Sequence, residues 1–128
     1  MSYYLQTTLD KPIAEALEQV EAALKEEGFG VLTRIDIAQT LKQKIGVDFH
    51  PYTILGACNP ALAFEALRLE DKVGTMLPCN VVVQEAEAGR SEVAAVDPVA
   101  SMQAIDNGAL KQAAEKVRAK LKRVIESL

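Results

Sequence analysis

The sequence has no tryptophan, a single histidine, two cysteines, and aromatic residues at only 5%. One histidine, His50, leaves a single side chain of the type that serves as an acid or base near neutral pH, so chemistry built on several histidines is excluded. Two cysteines are too few for a disulfide framework and read as thiols of a reducing compartment. No apolar stretch approaches the roughly 20 residues that a membrane-spanning helix needs. The opening Met1-Ser2-Tyr3-Tyr4-Leu5-Gln6 lacks a basic segment, an apolar run and a small-residue cleavage site, so the expected setting is soluble and cytoplasmic. Positive charge is also short. A net charge of −4 and a pI near 5.0 argue against nucleic acid and membrane surfaces as partners.

Catalytic motifs are missing as well. There is no Gly-rich phosphate cradle, no His-Glu-x-x-His metal motif and no Gly-x-Ser-x-Gly elbow. The carboxylate pairs Glu26-Glu27 and Glu70-Asp71 stand among charged neighbours and read as solvated surface. Residues 107–128 hold six basic side chains against Glu115 and Glu126, a local balance of +4 that reads as the solvated face of a helix.

What is there is an ordinary globular composition, 49% hydrophobic and 25% charged, in one domain spanning residues 1–128. Residues 2–9 alternate as a half-buried strand, with Asp10 as the expected N-cap of a helix whose first turn admits Pro12. Ile13, Leu17, Val20 and Leu24 mark that helix's apolar face, and Gly28 its stop. A second strand spans residues 31–37, and Ala38, Leu41 and Ile45 predict one or two helical turns before Gly46. A third strand spans 52–57, and Asn59-Pro60 opens a short helix to about Leu69, because Asn accepts from free amides and Pro wastes none. Residues 73–78 read as a loop. A fourth strand over 79–86 carries Val81-Val82-Val83, which suggests cover on both faces, and Glu87-Ala88-Gly89-Arg90 turns it into a fifth over 91–96. Asp97-Pro98 breaks the pattern, and Leu110, Ala114, Val117, Leu121, Val124 and Leu128 give a long amphipathic helix. The expected fold is α+β: a two-layer β-α-β4-α domain with a mostly antiparallel five-stranded sheet and two long helices on one face.

Two Cys-Asn pairs stand out, Cys58-Asn59-Pro60 and Pro78-Cys79-Asn80. Cys58 precedes a helix N-terminus, where partial positive charge favours the thiolate, which makes it the more reactive thiol by expectation. Neighbouring strands could bring Cys79 beside it, and with His50 and Met76 the residues form a soft ligand set suited to Cu(I) or Zn. Small buried residues capping strand ends remain the plain alternative.

The segments Gly56-Ala57-Cys58-Asn59-Pro60 and Leu77-Pro78-Cys79-Asn80 resemble the signature of a bacterial and archaeal family catalogued as domain of unknown function number 302. The resemblance extends over nearly the whole chain. It implies a β-α-β4-α domain similar in outline to the TATA-binding-protein-like fold and paired as a homodimer, and it implies no activity. Three functions stay open: a binding protein whose site, framed by Cys58, Asn59, Pro78, Cys79 and Asn80, takes a small molecule or a thiophilic metal; a thiol-dependent enzyme or redox protein using Cys58; and a dimeric interaction module in which Asn59 and Asn80 tie loops through backbone hydrogen bonds.

Overall fold

The computed structural model describes residues 2–128. Strand β1 (Tyr4–Leu9) leads into α1 (Ile13–Glu26), then β2 (Gly30–Asp36), α2 (Ile37–Ile45) and β3 (Tyr52–Cys58). Helix α3 (Pro60–Leu69) and a 3-10 turn (Asp71–Met76) precede the hairpin of β4 (Cys79–Glu87) and β5 (Arg90–Val96), and α4 (Pro98–Ser101) and α5 (Gly108–Ser127) follow. The sheet order is β1-β5-β4-β3-β2 with every neighbouring pair antiparallel, so α1 carries the chain from one sheet edge to the other. The α+β architecture expected from the sequence is the one found, and α1 and α5 pack together on one sheet face.

Strand alternation sets what that face buries. In β5, Ser91, Val93 and Ala95 point inward, and in β4 Cys79, Val81 and Val83 do. Val82 lies on the opposite face and is only half-buried, so the valine run is not covered on both sides within one chain. Gly28, at φ +84°, ends α1: its amide donates to Lys25 O at 3.0 Å, and that of Phe29 to Leu24 O at 2.9 Å. That pair of bonds is the Schellman ending.

Three local expectations are corrected. Asp10 is not the cap of α1. Pro12 takes that position with extended backbone (φ −65°, ψ 160°) and no side-chain cap, which starts the helix later and leaves Asp10 to accept from Arg90 Nε at 2.9 Å. Residues 73–78 are not a plain loop, because the 3-10 turn buries Val73 fully and the Glu70 carboxylate accepts from Lys72 N at 3.1 Å. Glu27 is not simply solvated, since its carboxylate meets Arg123 Nε at 2.9 Å.

The interior has two parts. The principal cluster joins α1, the inner sheet face and the C-terminal half of α5 through Leu24, Leu55, Val81, Val93, Leu121 and Val124. A smaller one joins α3, the 3-10 turn, the α4 region and the N-terminal half of α5 through Ala66, Val73, Met102, Leu110 and Ala114. Four of the six cations of the last helix also have structural work. Lys116 pairs with Glu65, Arg118 with the buried Asp97, Lys122 with Glu126 and Arg123 with Glu27. Asp97 in turn accepts from Val99 N at 3.0 Å, so one carboxylate caps α4 and holds α5 to it. No helix among the described residues is long and apolar enough to cross a membrane.

Candidate functional site

Between the two buried clusters lies an open cleft of about 280 Å³. Its floor is the end of the sheet, Ala57 and Cys58 of β3 beside Pro78 and Cys79. One wall is α3, through Leu62, Ala63 and Ala66; the other is α5, through Ala113, Ala114 and Val117. Alanines make the cleft. Where larger side chains would interlock two facing helices, Ala63 and Ala66 opposite Ala113 and Ala114 leave space. At the rim, Leu32 and Leu67 are 67% and 43% exposed.

The Cys-Asn-Pro segment is placed by local chemistry. Asn59 caps α3, with Oδ1 accepting from Leu62 N at 3.3 Å, and its Nδ2 donates to Glu27 O at 3.4 Å. One side chain therefore starts α3 and fastens it to the end of α1. The fit is close, for a Cβ on Gly28 would lie 3.1 Å from Asn59 Nδ2. Gly56 has a similar role: a Cβ there would collide with Thr33 Oγ1 and come within 2.9 Å of Pro78 Cγ. The missing side chain lets the segment before β4 lie against β3.

Strand pairing then sets both cysteines at one end of the sheet, where both line the cleft. Ala57 is opposite Cys79, so Cys58 is one residue from direct register, and both thiols are free. Their environments differ. Cys58 is half-buried and lines the cleft; Cys79 is buried, and burial, with the Cys58 charge adding to it, pushes its pKa from 9.0 up to about 11. At neutral pH Cys79 therefore keeps its proton, and Cys58 is the more accessible of the two.

Of the residues singled out from the sequence, Cys58, Asn59, Pro78 and Cys79 line this one cleft. Asn80 does not. It follows Cys79 in a regular strand, faces the opposite side of the sheet and lies exposed among Tyr4, Tyr52 and Val82. His50 stands before the far end of β3, with Nε2 2.7 Å from Gln84 Oε1, and Met76 is exposed on the 3-10 turn. The soft ligand set is thus not assembled, and among the described residues no three His, Cys, Asp or Glu side chains converge to hold a metal. Sequence reasoning missed the helical walls. Their signal was the pairing of small residues, Ala63 with Ala66 and Ala113 with Ala114, on two otherwise amphipathic helices.

Fold and cleft together define a two-layer α+β domain with a thiol-lined apolar recess beside one end of its sheet. The chain belongs to the family described as domain of unknown function DUF302, whose model matches residues 5–128. It is similar to a solved structure, the crystal structure of an uncharacterized conserved protein DUF302 from Bacillus stearothermophilus, at 31% identity and a TM-score of 0.91 over 98% of each chain. No curated protein matches the chain.

Proposed function

We propose that this protein is a non-enzymatic binding module for an apolar small molecule, seated in the cleft between α3 and α5 with Cys58 on its floor. The observation that carries the reading is the lining: apart from Asn59, whose amide is committed to Leu62 and Glu27, and the two thiols, every lining side chain is apolar. At about 280 Å³ the cleft is close to the lower end of small-molecule sites, roughly 300–1,000 Å³. An enzyme site would carry more titratable partners than one accessible thiol. The two thiols are too few for a closed metal site, which favours an organic ligand over a soft ion. Free thiols also fit a cytoplasmic setting.

The same proposal includes a homodimer. The sheet face opposite α1 and α5 presents half-buried Ile54, Val82, Ala94 and Val96 between Tyr4 and Tyr52, apolar surface that a second copy would cover in a two-fold pair. Sedimentation at micromolar concentration yielding a species near 13.9 kDa removes that part.

The cleft reading is tested by titrating a fluorescent apolar dye into the native protein and into Ala63→Phe, a variant that fills the cleft from α3. Saturable binding lost in the variant, with its thermal unfolding unchanged, is the expected result. Equal binding by both proteins, or none by the native one, sinks the reading. If instead Cys58 is consumed stoichiometrically by a substrate and regenerated, the thiol-dependent enzyme replaces the binding module.

A further inference from the structure

Helix α5 carries three cations along one stripe, Lys116, Lys120 and Arg123, spaced as neighbours on a helix surface. The outer two are held by the elements that border the cleft. Lys116 Nζ lies 3.5 Å from Glu65 of α3, and Arg123 Nε lies 2.9 Å from Glu27 at the end of α1. Lys120 stands between them and differs from both. It is half-buried where they are exposed, and among the described residues no carboxylate lies within ion-pair distance of it. It follows Val117 by three positions and Ala113 by seven, so helix spacing sets it on the same side of α5, one turn beyond Val117, next to the cleft lining and not part of it. On that stripe the first cation beyond the apolar lining is thus one without a carboxylate partner among the described residues.

We propose that the ligand is an amphipathic carboxylate, its apolar chain lying in the cleft and its anionic head paired with Lys120 at the mouth. The inference rests on the reading of the cleft as a ligand site and adds the chemical class. A lysine stem lies along apolar surface while its ammonium reaches water, which is the geometry needed to meet a head group at a rim. One cation, with its neighbours Lys116 and Arg123 already neutralised, suits a singly charged carboxylate better than a dianionic phosphate. At about 280 Å³, near the lower end of small-molecule sites, the cleft suits a short or medium-length apolar chain.

Binding of decanoate, decanol and decylamine, measured by calorimetry on the native protein, Lys120→Met and Lys120→Arg, tests the assignment. The native protein is expected to prefer decanoate to both other ligands. Lys120→Met should weaken decanoate about tenfold, the loss of one charge-assisted contact, leave decanol unchanged, and be rescued by Lys120→Arg. Decanoate binding equally to Lys120→Met and the native protein, while Ala63→Phe abolishes it, overturns the role of Lys120 and leaves the cleft standing. Failure of all three ligands and of the apolar dye removes the cleft reading itself.

Discussion

The same dipeptide, Cys-Asn, occurs at residues 58–59 and 79–80, and the fold uses the two copies differently. Cys58 is the last residue of β3, so the chain turns at Asn59 and its side chain is spent on capping α3 and holding the end of α1. Cys79 is the first residue of β4, so Asn80 continues as a strand residue and alternation carries it to the other face. Both thiols line one cleft and the amides separate. A repeated motif is thus no guide to a repeated role. What decides is whether the strand stops or continues after the cysteine.

The largest expected effect tests the difference between the thiols. Cys79 holds its proton to about pH 11 in the folded protein against 9.0 ordinarily, first because of burial and then because of Cys58. Below pH 9 both states are protonated and this contribution to stability is fully present. Between 9 and 11 the unfolded chain releases the proton first, so stability falls as pH rises. Unfolding titrations across that window should lose about 2–3 kcal/mol more in the native protein than in Cys79→Ala. Identical alkaline slopes would mean that burial does not shield Cys79 in the folded protein.

Next comes the approach of the two segments over Gly56. An added Cβ meets Thr33 and Pro78, and relieving that contact moves either the β2 side chain or the start of β4. Gly56→Ala should cost about 2 kcal/mol, in the range for overpacking, and should weaken dye binding because Pro78 lines the cleft. Native-like stability in denaturant would show that the two segments are not held together there.

Much of this was legible in the sequence where one residue's chemistry decides the local backbone. Asn59 and Pro60 gave the start of α3, Gly28 the end of α1, and Gly89, at φ +79°, the turn of the β4–β5 hairpin. Asp10 misled because Pro12, two residues later, has the stronger claim on the helix start. Val73 misled because its burial comes from the smaller cluster, whose members Ala66, Met102 and Leu110 are spread along the chain. The cleft is of the same kind: it is a gap between α3 and α5, and no periodicity within either helix reports what faces it. The proximity of Cys58 and Cys79 needed the register of β3 against β4, which depends on which residues pair and not on the 21-residue separation.

The third expected effect concerns Asn59. Replacing it with Ala removes the acceptor for Leu62 N and the donor to Glu27 O. A lost N-cap costs typically about 1 kcal/mol, and the second bond spans two elements, so Asn59→Ala should destabilise by about 1–2 kcal/mol and make Cys58 react faster with an alkylating agent as the start of α3 frays. Asn59→Asp separates the two contributions, since the carboxylate still caps the helix and no longer donates to Glu27 O. A smaller loss for Asp than for Ala is expected, and equal losses would assign the whole effect to the tie with α1.

The smallest effect belongs to Asn80, and its smallness is informative. Its side chain is exposed on the open sheet face, away from the cleft and from α3, opposite Gly56 on β3 and beside Val96 on β5. Exposed polar positions of this kind change stability by less than about 0.5 kcal/mol when replaced, so Asn80→Ala should leave the midpoint of unfolding, the alkylation rate of Cys58 and dye binding in the cleft unchanged. The same replacement puts a smaller, less polar side chain where a second copy would sit. Sedimentation of the variant therefore reads the open face alone. A shift in self-association with the cleft unaffected would assign the two Cys-Asn segments to two surfaces, one for a ligand and one for a partner; a loss of dye binding in Asn80→Ala would instead join them again into one site and overturn the separation drawn from strand alternation.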